Sequence, residues 1–142
     1  MKTGGVELRV KWAKRFGMAA LSLPIALSVI WALYEVFGMC VNHCATRKQT
    51  KTLQINLENE IPDIEILDVH SETGNTSGTG NHVDCLSSVV FSTGMKKTDI
   101  EDCMAKYYVI DGWSCCVGEV EDGHYMVRVN ASAPFADNIE GH

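Results

Sequence analysis

The chain has 142 residues, 46% hydrophobic and 21% charged, with 12 Lys and Arg against 18 Asp and Glu. That size fits one small domain with an appendage, and the composition excludes both wholesale disorder and a polytopic membrane protein. The absence of a Gly-X-Y repeat and of heptads excludes collagen and coiled coil.

Charge is strongly segregated along the chain. Residues 1–15 carry Lys2, Arg9, Lys11, Lys14 and Arg15 against Glu7, residues 16–34 carry none, and residues 53–142 carry a net charge of −12. Within the arm, Val6, Leu8, Val10 and Trp12 alternate with Glu7, Arg9, Lys11 and Ala13. This is closer to a period of two than to a helical stripe. Residues 1–15 are therefore expected to be a basic cytoplasmic arm on anionic lipid. Nucleic acid is not expected as a partner, because the arm is short and the remainder is acidic.

Phe16 to Tyr34 form a 19-residue run without charge, and apolar residues resume after Glu35 as far as Val41. About 20 apolar residues span a bilayer as a helix, so residues 16–41 are expected to be a single transmembrane helix. Pro24 should kink it mildly, with Trp31 and Tyr34 toward the headgroups. Glu35 lies roughly 12 Å from the segment centre at 1.5 Å per residue, close enough to the interface to reach water. A cleaved signal peptide fits less well, since the run is long and no A-x-A follows it. Cys40 lacks the preceding small residue of a lipoprotein site. Five basic residues before the helix and three after it (Arg47, Lys48, Lys51) favour a cytoplasmic N-terminus and an extracytoplasmic C-terminal domain.

Residues 42–52 read as a polar linker, 53–130 as an acidic α+β domain, and 131–142 as a tail without period. The expected order is β-β-β-α-β-β, a small antiparallel sheet with one packed helix. The strands are expected at 52–57, 64–71 and 82–93, the third placing Val83, Cys85, Val89 and Phe91 on its core face. Thr98 and Glu101 form a capping box opening a helix to about Tyr108, with Ile100, Cys103, Met104 and Tyr107 as its buried stripe. Cys115–Glu121 and His124–Asn130 flank Asp122-Gly123, a type I′ hairpin signal. Pairing outward from that turn sets Val120 opposite Tyr125, Gly118 opposite Val127 and Cys116 opposite Val129 on the apolar face.

Cys85, Cys103 and Cys116 thus fall on predicted core faces, as buried thiols or, in an oxidising compartment, with two of them bridged. Cys115 is expected on the opposite, accessible face. Cys40, His43 and Cys44 lack the second ligand pair of a zinc site, and no cofactor or metal is expected. Acylation of the juxtamembrane cysteines conflicts with the orientation.

The loop from Ser71 to His82 is a hairpin connection or a ligand loop, in which Gly74, Asn75, Gly78, Gly80 and Asn81 let backbone amides approach an anion. It lacks the lysine and spacing of a nucleotide loop. Asn75 and Asn130 open Asn-x-Ser/Thr sequons. His70, His82, His124 and Asp84 with a serine supply hydrolytic groups, without the spacing of a nucleophile elbow or a zincin helix. The reading that follows is a non-enzymatic, membrane-anchored interaction module, accessory to a membrane complex or binding an extracytoplasmic ligand. The alternatives are an anchored enzyme or metal/redox protein using Cys and His, and a secreted domain.

Overall fold

A computed structural model describes residues 4–142 except Thr79 and Asp122, with side chains from residue 11 onward. The described residues form α1 (Gly4–Glu60), β1 (Glu65–Gly74), β2 (Asp84–Ser92), α2 (Lys97–Met104), β3 (Cys115–Glu121), β4 (His124–Ser132) and a 3₁₀ turn, Ile139–Gly141. The order is β-β-α-β-β after the long helix. Two compact units meet at Phe37 and Gly38.

In the first unit, α1 is long and apolar enough to cross a membrane. Its side chains from Phe16 to Tyr34 are exposed all round, as they are in a helix whose apolar surface has no protein partner. Ser22 and Ser28 turn their hydroxyls back to the carbonyls of Ala19 and Pro24, which satisfies them within the helix. The alternating pattern at 6–13 does not make an extended arm. A lone strand has no partner for its backbone groups, and the helix already runs from Gly4.

In the second unit the sheet is antiparallel throughout, in the order β1-β2-β4-β3. The C-terminal part of α1 covers one face of it. Its buried line runs Gly38, Asn42, Thr46, Thr50, Leu53, Leu57 and continues to Ile61, at helical spacing. Leu53, Leu57 and Ile61 pack with Val89, Phe91, Cys115, Val117, Tyr125, Val127 and Val129, and with Ile100 and Met104 of α2. Each large apolar side chain buried there contributes roughly 1.5–3 kcal/mol.

This arrangement corrects several expectations. Residues 52–57 are helical. Leu53, Ile55 and Leu57 fit a period of two, but Leu53 and Leu57 also share a helix face, and Ile55 is exposed. Residues 42–52 are a packed helix and not a linker, because their stripe is polar and is held by hydrogen bonds. The tail is also part of the unit: β4 extends to Ser132, and Ala133, Asn138 and Gly141 are buried.

In α2 the helix begins at Lys97, so Thr98 lies inside the first turn. Its hydroxyl meets Asp99 at 3.5 Å, and the N-cap, Lys96, makes no side-chain cap. The capping box therefore does not form. Ile100 and Met104 are buried as expected, but the helix ends at Met104 and Tyr107 swings out to 47% exposure. There its hydroxyl donates to Glu60, the carboxylate that also pairs with Lys106. Tyr108 turns inward instead, accepting from Asn56 at 3.1 Å.

The hairpin strands meet as expected, with Glu121 opposite His124 and Gly123 at φ 74°; Asp122 lies outside the described residues. An irregularity at Val120 then shifts the register by one residue. Tyr125 pairs with Glu119, Val127 with Val117 and Val129 with Cys115. Because side chains alternate, one inserted residue exchanges the two faces of β3. Cys115 and Val117 face the core, while Cys116 and Gly118 lie on the open face opposite Arg128 and Met126.

Candidate functional site

All six cysteines are free thiols. Cys85 is buried with Val83 and Ala133, its Sγ 4.0 Å from the carbonyl of Asn42. Cys103 borders the core, its Sγ 3.9 Å from the carbonyl of Glu60. Cys116 is half-buried on the other side of the sheet. The three thiols expected in one core thus occupy three separate surroundings. Cys40 and Cys44 are exposed, and His43 pairs with Glu140 at 2.7 Å. Among the described residues no group of three or more His, Cys, Asp or Glu side chains gathers to hold a metal.

The open face of the sheet carries a cleft at the β1–β2 end. One hollow of about 200 Å³ is lined by Thr76, Ser77, Leu86, Trp113, Arg128 and Asn130. A second, of about 370 Å³, shares Ser77, Trp113 and Asn130 and reaches His82 and Asp84. Arg128 and Asn130 lie two residues apart on β4, so both project to this face.

Two loops complete the cleft, and both are pinned. The Asp111 carboxylate accepts from the amides of Trp113 (2.8 Å) and Ser114 (2.6 Å), from the Ser114 hydroxyl (2.9 Å) and, more distantly, from the amide of Cys115. Amides aimed at a charged carboxylate favour its ionised form, and they hold Asp111 down at about 2, with Trp113 N–H the largest cause. Gly112, at φ 78°, closes this turn. Its result is a Trp113 ring that is 68% exposed on a fixed backbone.

On the opposite rim, Asn75 donates to the carbonyls of Gly80 (2.7 Å) and Gly141 (3.3 Å), tying the β1–β2 loop to itself and to the chain end. Gly78 and Gly80 take positive φ, which glycine accommodates without strain. Of the five residues expected as a ligand loop, Gly74 ends β1, Asn75 is turned into the loop, and Gly78, Gly80 and Asn81 are exposed. None of them lines the cleft. Thr76 and Ser77 do.

The hydrolytic groups are partly assembled. Ser77 Oγ and Asp84 Oδ2 each lie 3.3 Å from His82, while His70 pairs with Glu72 and His124 with Glu121 elsewhere on the sheet. Serine and aspartate, however, address the same ring nitrogen, Nε2. In a nucleophile–base–orienter relay they take opposite nitrogens, so that a proton passes through the ring. Here the contacts fix His82 against Asp84, and Thr76 adds a hydroxyl to the same carboxylate at 3.4 Å.

Sequence reasoning missed Trp113, Arg128 and Asn130. The available signal was an aromatic residue inside Asp-Gly-Trp-Ser, a turn with no core face for it to occupy. Arg128 read only as the outer side of a strand, and Asn130 only as the start of a sequon. Asn130 also carries the one buried side-chain oxygen without a hydrogen-bond partner among the described residues, Oδ1. Buried polar atoms are almost always paired, so this acceptor stands out within the cleft. Comparison of the chain with protein-family profiles, with curated proteins and with solved structures finds no match, and the cleft's own chemistry is the guide to its use.

Proposed function

We propose that the chain is a single-pass membrane protein, its N-terminus cytoplasmic and its C-terminal unit extracytoplasmic, acting as a non-enzymatic interaction module. The observation that carries this reading is the run from Phe16 to Tyr34, charge-free and exposed on every side. Such a surface belongs in lipid. Retention of the helix is favoured over cleavage because Gly38 is buried against the Phe135 ring, so a cut at Cys40 would remove part of the packed unit. The five-to-three bias in basic residues supports the orientation. The shared Nε2 in the Ser77–His82–Asp84 cluster supports binding over catalysis.

The test is alkaline extraction of membranes, followed by external protease on intact cells. Retention in the membrane with digestion of 38–142 is expected. Release by carbonate, or a mature mass lacking the helix, overturns the anchor. Protection of 38–142 until lysis reverses the orientation.

A further inference from the structure

We propose that the cleft between Trp113, Arg128 and Asn130 binds an acidic saccharide, a pyranose bearing a carboxylate. This deepens the interaction-module reading, yet it depends on the cleft alone and not on which side of the membrane the cleft faces.

Three observations converge on that ligand. Trp113 presents a largely bare ring from a turn that Asp111 locks in place, a preorganised plate for the C–H face of a sugar. Arg128 is exposed in the cleft and has no carboxylate partner among the described residues, although residues 53–142 hold sixteen Asp and Glu. A guanidinium fork suits a planar carboxylate. Asn130 Oδ1 is a buried acceptor without a donor, and a ring hydroxyl supplies one.

The spacing agrees. Two residues along a strand cover about 7 Å, the reach of one pyranose with its exocyclic carboxylate. The rest of the lining is mostly hydroxyl, from Thr76, Ser77, Ser114 and Ser132, with Leu86 and Ala131 as its apolar members, which favours a polyhydroxylated ligand over an apolar peptide side chain. A monoanion is matched to Arg128, the one Lys or Arg among the described lining residues, while the Asp84 carboxylate in the adjoining hollow opposes the further charge of a dianion such as a phosphate.

The test is isothermal calorimetry on the full chain in detergent, with trigalacturonate as probe and neutral galactotriose and triglutamate as comparators. Trigalacturonate should bind at least tenfold more tightly than either. Trp113→Ala should abolish binding. Arg128→Gln should weaken trigalacturonate at least tenfold, and Asn130→Asp should do the same by repulsion. Trp113 and Arg128 are exposed, so both variants should keep the wild-type circular dichroism. Equal affinity for galactotriose, or indifference to Arg128→Gln, overturns the acidic ligand. Equal affinity for triglutamate overturns the saccharide, and no heat with any probe overturns the site.

Discussion

The side-chain amide of Asn42 pairs with both backbone groups of a single residue 93 positions away, Phe135. Asn42 Nδ2 donates to the Phe135 carbonyl and Asn42 Oδ1 accepts from the Phe135 amide, each at 2.9 Å. Asn42 is fully buried. A helix residue thus takes the place of a strand neighbour for a segment beyond the sheet. Asn42→Leu keeps the volume but removes both bonds to the part-buried Phe135 backbone, and the loss of a buried polar group's partner costs about 1–3 kcal/mol. We expect the variant to lose about 2–4 kcal/mol in thermal or chemical unfolding of the full chain. Cys44→Ala, two residues on and exposed, should stay within about 0.5 kcal/mol of wild type. Equal effects would mean that the pair contributes nothing.

The same pair explains what the sequence concealed. Asn42, Thr46, Gln49 and Thr50 form a polar stripe that binds to the sheet by hydrogen bonds: Thr46 to Thr73 and Thr50 to Ser87, each at 2.7 Å, and Gln49 to the carbonyls of Cys85 and Val129. Hydrophobic periodicity cannot register a stripe without hydrophobic residues, so the segment reads as a linker and the helix end beyond it as a strand. The β2 core face and the hairpin ends were legible because alternation and turn chemistry are local. The β3 faces were not, since a one-residue bulge leaves no mark in the pattern. Nor was the cleft, whose parts come from three segments brought together only by the sheet order.

That packing sets the boundary of the folding unit. A fragment 38–142 retains Leu53, Leu57 and Ile61 against the sheet, whereas 62–142 uncovers the core they seal. The longer fragment should be soluble and show a cooperative melt. The shorter one should aggregate or bind hydrophobic dyes. A cooperative melt of 62–142 would show that the sheet and α2 suffice.

Two glycines should resist substitution for different reasons. Gly123 sits at φ 74°, where a β-branched side chain is strained, so Gly123→Val should cost about 1 kcal/mol or more. Gly141 is buried, and a Cβ there would come within 2.9 Å of the His82 backbone. Gly141→Ala must therefore push the chain end off the β1–β2 loop, at about 1–3 kcal/mol. Both values can be read from denaturant midpoints. An unchanged midpoint for Gly141→Ala would mean that the 3₁₀ turn does not dock on the loop.

The Trp113 turn should be sensitive to acid only well below the ordinary carboxylate range. Asp111 is held down at about 2, below the 3.8 of a free aspartate, by the amides it accepts from. A depressed folded-state value means that the ionised form stabilises the turn. That contribution is complete above about pH 4 and is lost as the pH falls through about 2. In a Trp12→Phe, Trp31→Phe background, Trp113 fluorescence should hold steady from pH 7 to 4 and change with a midpoint near 2. Asp111→Asn should remove that transition. A midpoint near 4 would show that the amides do not engage the carboxylate.

Adjacent Cys115 and Cys116 provide the sharpest test of the β3 register. Cys115 is buried opposite Val129, and desolvation pushes its thiol up to about 11. Thiolate is the reacting species, so at pH 8 Cys115 is both shielded and almost wholly protonated. Cys116 is half-buried on the open face opposite Arg128. Timed alkylation of the native full chain at pH 8, with mass mapping of the peptide, should label Cys116 well before Cys115. Exposed Cys44 should react fastest and buried Cys85 should stay protected with Cys115. Deleting Val120 should remove the bulge and leave Glu119 opposite Tyr125 and Cys115 opposite Val129, so that Cys116 stays the faster thiol. Should Cys115 react first in the wild-type chain, the strand would lack the bulge. Val120 would then oppose Tyr125, and the core would contain Cys116.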